Sequence, residues 1–90
     1  MSVTVHPTPN PNAHKYVLAH WRFASPSNLS APENARGNPL AERLFAVNGI
    51  YNLLLAQDFV TVNKYPDKEW APIDAEVTTI LNQFLKEQGL

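Results

Sequence analysis

The sequence predicts an α+β fold: a two-layer domain in which a four-stranded antiparallel sheet is covered on one face by two main helices and a third, short one. Three observations carry this expectation. Four apolar, β-branched or aromatic runs fall into two pairs, and each pair is joined by a connection too short for a parallel crossover. The C-terminal segment carries an apolar stripe of helical period. Finally, 90 residues at 44% hydrophobic and 17% charged hold one core and leave no room for a second domain.

The elements follow in order. Val3 and Val5 alternate with Thr4 and His6, the period-two pattern of a short half-buried strand that Pro7 ends. Residues 15–23, Lys-Tyr-Val-Leu-Ala-His-Trp-Arg-Phe, read as a longer second strand antiparallel to the first. Residues 24–38 turn to Ser, Pro, Asn and Ala. Within them Ser30-Ala31-Pro32-Glu33 fits a capping box and Gly37 a stop, which predicts a short helix over 31–36. Asn38-Pro39 supplies an N-cap and a proline at the first helical position, and Leu40, Ala41, Leu44, Phe45 and Val47 give the first main helix, ended by Asn48-Gly49. Residues 50–56 and 59–65 form a hairpin through Gln57-Asp58. The run Leu53-Leu54-Leu55 leaves open which face of its strand is inward. Ile73, Val77, Ile80, Leu81, Phe84 and Leu85 then make one stripe of a final helix with Gly89 at its end. Burying those side chains is worth about 1.5–3 kcal/mol each, on the order of 10 kcal/mol gross, so this helix must dock on the sheet.

Charge and composition narrow the function classes. A formal charge of −1 and scattered lysines and arginines offer no attraction for a phosphate backbone or an anionic lipid surface, so neither nucleic acid nor membrane is an expected partner. No apolar run approaches the ~20 residues of a membrane span. The N-terminal residues lack the basic and apolar regions of a secretory signal, which makes the cytoplasm the expected compartment. With no cysteine in the sequence, disulfides, thiolate-bound zinc or iron–sulfur clusters and cysteine nucleophiles are unavailable to the single chain.

The most shaped local feature is Thr8-Pro9-Asn10-Pro11-Asn12. Two prolines fix φ at about −65° and push the residues before them towards extended backbone. Asn10 and Asn12 are placed to close the corner with Asx-type hydrogen bonds. His6, His14 and His20 are the only side chains whose ordinary titration falls near neutral pH. They form the alternative reading, a histidine-based metal or small-ligand site, against the plainer reading of solvated or structural histidines. The acids Asp58, Asp67, Glu69, Glu76 and Glu87 read as a solvated face, no G-x-S-x-G elbow is present, and three glycines write no phosphate-cradling loop. An enzyme is not expected. Trp21 and Trp70 suit either an interface or the completion of a small core, and Lys15 is a candidate anion contact beside the corner.

Taken in order, Thr-Pro-Asn-Pro-Asn at 8–12 with Lys15, Asn-Pro-Leu-Ala-Glu-Arg-Leu-Phe-Ala-Val-Asn-Gly-Ile at 38–50, Asp-Phe-Val-Thr-Val-Asn-Lys at 58–64, Trp70 and the closing amphipathic helix resemble the N-terminal domain of the Nfu (NifU-like) iron–sulfur scaffold proteins. The likeness covers nearly the whole chain. Where the family commonly has Ser-Pro-Leu-Ala this chain has Asn38-Pro39-Leu40-Ala41, which keeps an N-cap residue. In that family a C-x-x-C motif in a separate C-terminal domain holds the cluster. The resemblance therefore implies a protein-binding module without catalytic residues, metal ligands or a cofactor of its own. Its partner would be an iron–sulfur assembly factor or a client apoprotein, contacted through Thr8, Pro9, Asn10, Pro11, Asn12 and Lys15.

Overall fold

Residues 3–90 are described by a computed structural model. The first hairpin joins β1 (Val3–Pro7) to β2 (Ala13–Leu18) in antiparallel register, Val3 opposite Leu18 and Pro7 opposite His14. A second hairpin joins β4 (Ile50–Ala56) to β5 (Phe59–Lys64) across Gln57 and Asp58, with Ala56 opposite Phe59. The two hairpins meet through β2 and β5, where Tyr16 lies opposite Val60.

The sheet has five strands, not the expected four, in the order β1-β2-β5-β4-β3. The added edge strand is β3 (Ser27–Leu29), paired with residues 53–55 of β4. Ser and Asn are poor strand formers, and one buried leucine in three residues sets no alternation; only the edge of β4 makes the segment a strand. The second strand is also shorter than the 15–23 run. It starts at Ala13 and stops at Leu18, because His20 turns the chain with φ at +62°. After that turn the Phe23 N–H donates to the Gln57 carbonyl at 2.7 Å, just as the Leu18 N–H donates to the Asp58 carbonyl at 2.7 Å, so the broken strand still clasps the second hairpin.

Three helical pieces lie along the chain. Residues 31–36 hold a single turn of 3-10 helix (Pro32–Ala35) in place of an α-helical segment. No capping box forms there: the Ser30 hydroxyl donates to the Asn34 side-chain oxygen at 3.1 Å, and the turn has no side-chain cap. The first main helix, α1 (Pro39–Phe45), starts as the sequence implies, with Asn38 Oδ1 accepting from the Ala41 N–H at 3.1 Å and Pro39 in the first turn. It ends at Phe45, before Asn48-Gly49. The second, α2, spans Trp70–Glu87.

One apolar core lies between the helices and a single face of the sheet. Tyr16, Leu18, Leu53, Leu55, Val60 and Val62 enter it from the strands, Leu40 and Leu44 from α1, and Ile73, Val77, Leu81 and Leu85 from α2. Leu53 and Leu55 point inward and Leu54 outward, which settles the leucine run. Along α2 the fully buried positions recur every four residues, whereas Ile80 and Phe84 flank the stripe half-buried. Gly49 makes the passage from α1 into β4 possible. Its φ is +102°, and a Cβ there would stand 2.9 Å from Lys68 Cγ and 3.2 Å from Ile73 Cδ1.

Gly49→Ala is therefore expected to cost about 2 kcal/mol, from left-handed backbone and close contacts with Lys68 and Ile73. Leu81→Ala is expected to cost about 2–5 kcal/mol, and Ile80→Ala distinctly less. Urea unfolding of the three variants against the parent protein checks the order.

Candidate functional site

The proline corner between β1 and β2 is built from its own hydrogen bonds. The Asn12 N–H donates to Asn10 Oδ1 at 2.9 Å, the Asx turn the sequence implied. The Asn10 N–H donates to Thr8 Oγ1 at 3.2 Å, and the Thr8 hydroxyl lies 2.9 Å from the Ala13 carbonyl and 3.0 Å from the Asn10 carbonyl. A further backbone bond from the Ala13 N–H to the Asn10 carbonyl, 3.0 Å, closes the turn. Pro9, Asn10 and Pro11 form an exposed apex, while Thr8 and Asn12 are half-buried at its base.

Two side chains from elsewhere bolt that base to the domain, and His14 braces one of them. The Trp70 indole N–H donates to the Pro11 carbonyl at 2.9 Å. Lys64, only 7% exposed, donates from Nζ to Asn12 Oδ1 at 3.0 Å, with the ammonium 5.7 Å from the Trp70 ring centre. His14 stacks on the Trp70 indole, ring centres 3.6 Å apart and planes within 7°. Beneath them Asp74 Oδ1 accepts from the Tyr16 hydroxyl at 2.5 Å and lies 2.9 Å from His14 Nδ1. An ionised carboxylate only accepts, so this contact is a hydrogen bond when Nδ1 bears a proton.

Burial is the first cause that pushes the Tyr16 phenol well above its ordinary value, followed by its hydrogen bond to Asp74 and the Asp74 charge. The phenol is thus a permanent donor, and with Trp70 and Lys64 it fixes the first turn of α2 against β2 and the corner. Tyr16, Lys64 and Asp74 were not singled out from the sequence. Two signals point to them: a tyrosine at an inward strand position needs an acceptor, and an aspartate beside Ile73 lies on the edge of the buried stripe.

The remaining candidates are dispersed. Lys15 is on the outward side of β2, its Nζ 4.5 Å from the centre of the Phe59 ring. His6 is exposed on β1 opposite Lys15, and His20 is exposed at its turn. The three histidines therefore do not converge, and among the described residues no group of three His, Asp or Glu side chains is placed to hold a metal. Trp21 packs edge-on against Phe84, 5.0 Å between centres, and against Phe23 at 6.0 Å. Both tryptophans thus pack against the core, and Trp70 secures the corner as well. No helix among the described residues is long and apolar enough to cross a membrane.

The corner is thus an exposed apex whose base is bonded to Trp70 and Lys64. The domain that carries it has known relatives. The family model described as scaffold protein Nfu/NifU, N-terminal, matches residues 3–88, and the chain belongs to that family. It is 32% identical over 83 residues to a NifU-like protein of Schizosaccharomyces pombe, covering 87% of this chain and 31% of that one. It is 30% identical over 86 residues to the mitochondrial NFU1 iron-sulfur cluster scaffold homolog of Drosophila erecta, covering 93% of this chain and 30% of that one. The chain thus spans about a third of the length of these relatives. The solution structure of a NifU-like protein from Saccharomyces cerevisiae superposes with a TM-score of 0.83 at 22% identity, covering 94% of this chain and 78% of that one, and shares the fold.

Tyr16→Phe is expected to cost about 1–2 kcal/mol at neutral pH by leaving the Asp74 carboxylate with one donor fewer. The folded phenol titrates above the unfolded one, so its stabilisation is complete below the unfolded value of about 10 and is lost as pH rises beyond it. Denaturant midpoints measured upward from pH 9 are expected to fall more steeply for the parent protein than for Tyr16→Phe.

Proposed function

We propose that this chain is a non-catalytic protein-binding module that serves iron–sulfur cluster assembly or delivery without holding the cluster. Its partner is an assembly factor or a client apoprotein, met in the cytoplasm and contacted through the corner formed by Thr8, Pro9, Asn10, Pro11 and Asn12 together with Lys15. The observation that carries this reading is the exposed apex at Pro9, Asn10 and Pro11, held by Trp70 and Lys64. An apex ordered before binding loses little further entropy when a partner closes on it. Membership in a family of scaffold N-terminal domains, with relatives named as iron-sulfur cluster scaffold homologs, supports the pathway, and a sequence without cysteine supplies no thiolate for a cluster.

Two experiments test it. Anaerobic incubation with iron and sulfide is expected to leave the desalted protein colourless; a stable brown chromophore on the monomer contradicts the reading. Co-purification from the source cell is expected to recover an iron–sulfur assembly protein or a client apoprotein, and the double variant Pro9→Ala, Asn10→Ala is expected to recover less of it. Recovery of unrelated proteins alone removes the pathway, and equal recovery by the variant removes the corner.

A further inference from the structure

The two helices cover one side of the sheet, and the other side has no second layer among the described residues. Strand parity decides what faces outward. Because Tyr16, Val60, Val62, Leu53 and Leu55 enter the core, the residues between them point away from it. The pairing places His6, Lys15, Thr61 and Leu54 in one row across four strands, with Val17 and Phe59 side by side in the next. Lys15, Val17, Leu54, Phe59 and Thr61 are each only half-buried. The centre of this row pair is apolar, and its one fixed charge is the Lys15 ammonium.

The distribution of acids sharpens the point. None of the five strands contains Asp or Glu; all eight acids of the chain lie in the helical segments and connections. The chain as a whole carries −1, yet the outward rows of its sheet hold no acid and one ammonium, that of Lys15, over the apolar middle at Phe59. The corner connects β1 to β2 at the end of the sheet where His6 and Lys15 lie.

We propose that this open sheet face is the docking surface of the module, and that the protein it receives presents a carboxylate set within an apolar patch. The inference rests on the protein-binding reading above and names its surface and its partner's chemistry. Apolar contact over Val17, Leu54 and Phe59 supplies area, and Lys15 supplies orientation and steering. The Lys15 ammonium lies over the Phe59 ring, 4.5 Å from its centre, which holds the charge against the apolar patch.

The experiment uses the full chain and the iron–sulfur assembly or client protein recovered by co-purification, each purified. A carbodiimide, which joins an amine directly to a carboxylate, is expected to link Lys15 to an Asp or Glu of the partner in peptide mass spectra. Lys15→Glu is expected to weaken binding about tenfold or more, Lys86→Glu at the far end of α2 to leave it within about twofold, and added salt to weaken the parent complex. Val17→Asp, checked for folding by circular dichroism, is expected to weaken binding as Lys15→Glu does. Binding that survives Lys15→Glu, or links that form only from Lys68 or Lys86, overturns the face while leaving the binding module standing. Absence of any association by the parent protein overturns both readings. Links from Lys15 to this chain's own acids, with a concentration-dependent dimer, replace the acidic partner by a second copy and overturn the proposal.

Discussion

The docking of α2 on the sheet is the constraint on which the rest of the molecule depends. Ile73, Val77, Leu81 and Leu85 are sealed against side chains from the strands and α1, and without them one face of the sheet would be open to water. A two-layer domain of this size has no other apolar mass to substitute. The same helix, through its first turn, organises the polar end of the molecule. Trp70 and Asp74 are four residues apart on α2, and they reach the corner and the inward side of β2 together. Apolar packing therefore sets where the helix lies, and the hydrogen bonds set its rotation and its end.

That division of labour explains why a nearly buried lysine is tolerated at the margin of the core. Lys64 meets the Asn12 oxygen and the face of Trp70, and forms no ion pair among the described residues. A buried ammonium is costly unless its donors are used. Here they are used to fasten a turn, so the cost is tied to the shape of the corner. The corner's base is bonded through the Thr8 hydroxyl, Asn12 Oδ1 and the Pro11 carbonyl, and its exposed prolines and Asn10 form the outline above it.

Much of the fold was legible because its signals were periodic or local. The stripe of α2, the Asn38-Pro39 start of α1, the Gln57-Asp58 hairpin and the Asx turn at Asn10 each depend on residues close in sequence. What was not legible depended on partners far away. Ser27-Asn28-Leu29 is a strand only because β4 offers an edge, and the 15–23 run stops early because His20 takes a left-handed backbone that its sequence does not demand. At the candidate site, the internal bonding of residues 8–12 was readable, whereas the union of Tyr16, Lys64, Trp70 and Asp74 was not. These residues are brought together across gaps of up to 58 positions, and no spacing rule connects them.

The strand order has a consequence for how the chain is made. β5, the middle of the sheet, is the last strand in sequence, and it sits between β2 and β4. As the polypeptide leaves the ribosome, β1 and β2 emerge as an isolated ribbon whose inner edge waits for a neighbour still unsynthesised. Cooperative collapse must await residues beyond Lys64, and then α2 as well. Domains closed by late, distant pairings fold more slowly than those built from near neighbours, so the nascent ribbon keeps an unpaired edge until synthesis has passed the centre of its own sheet.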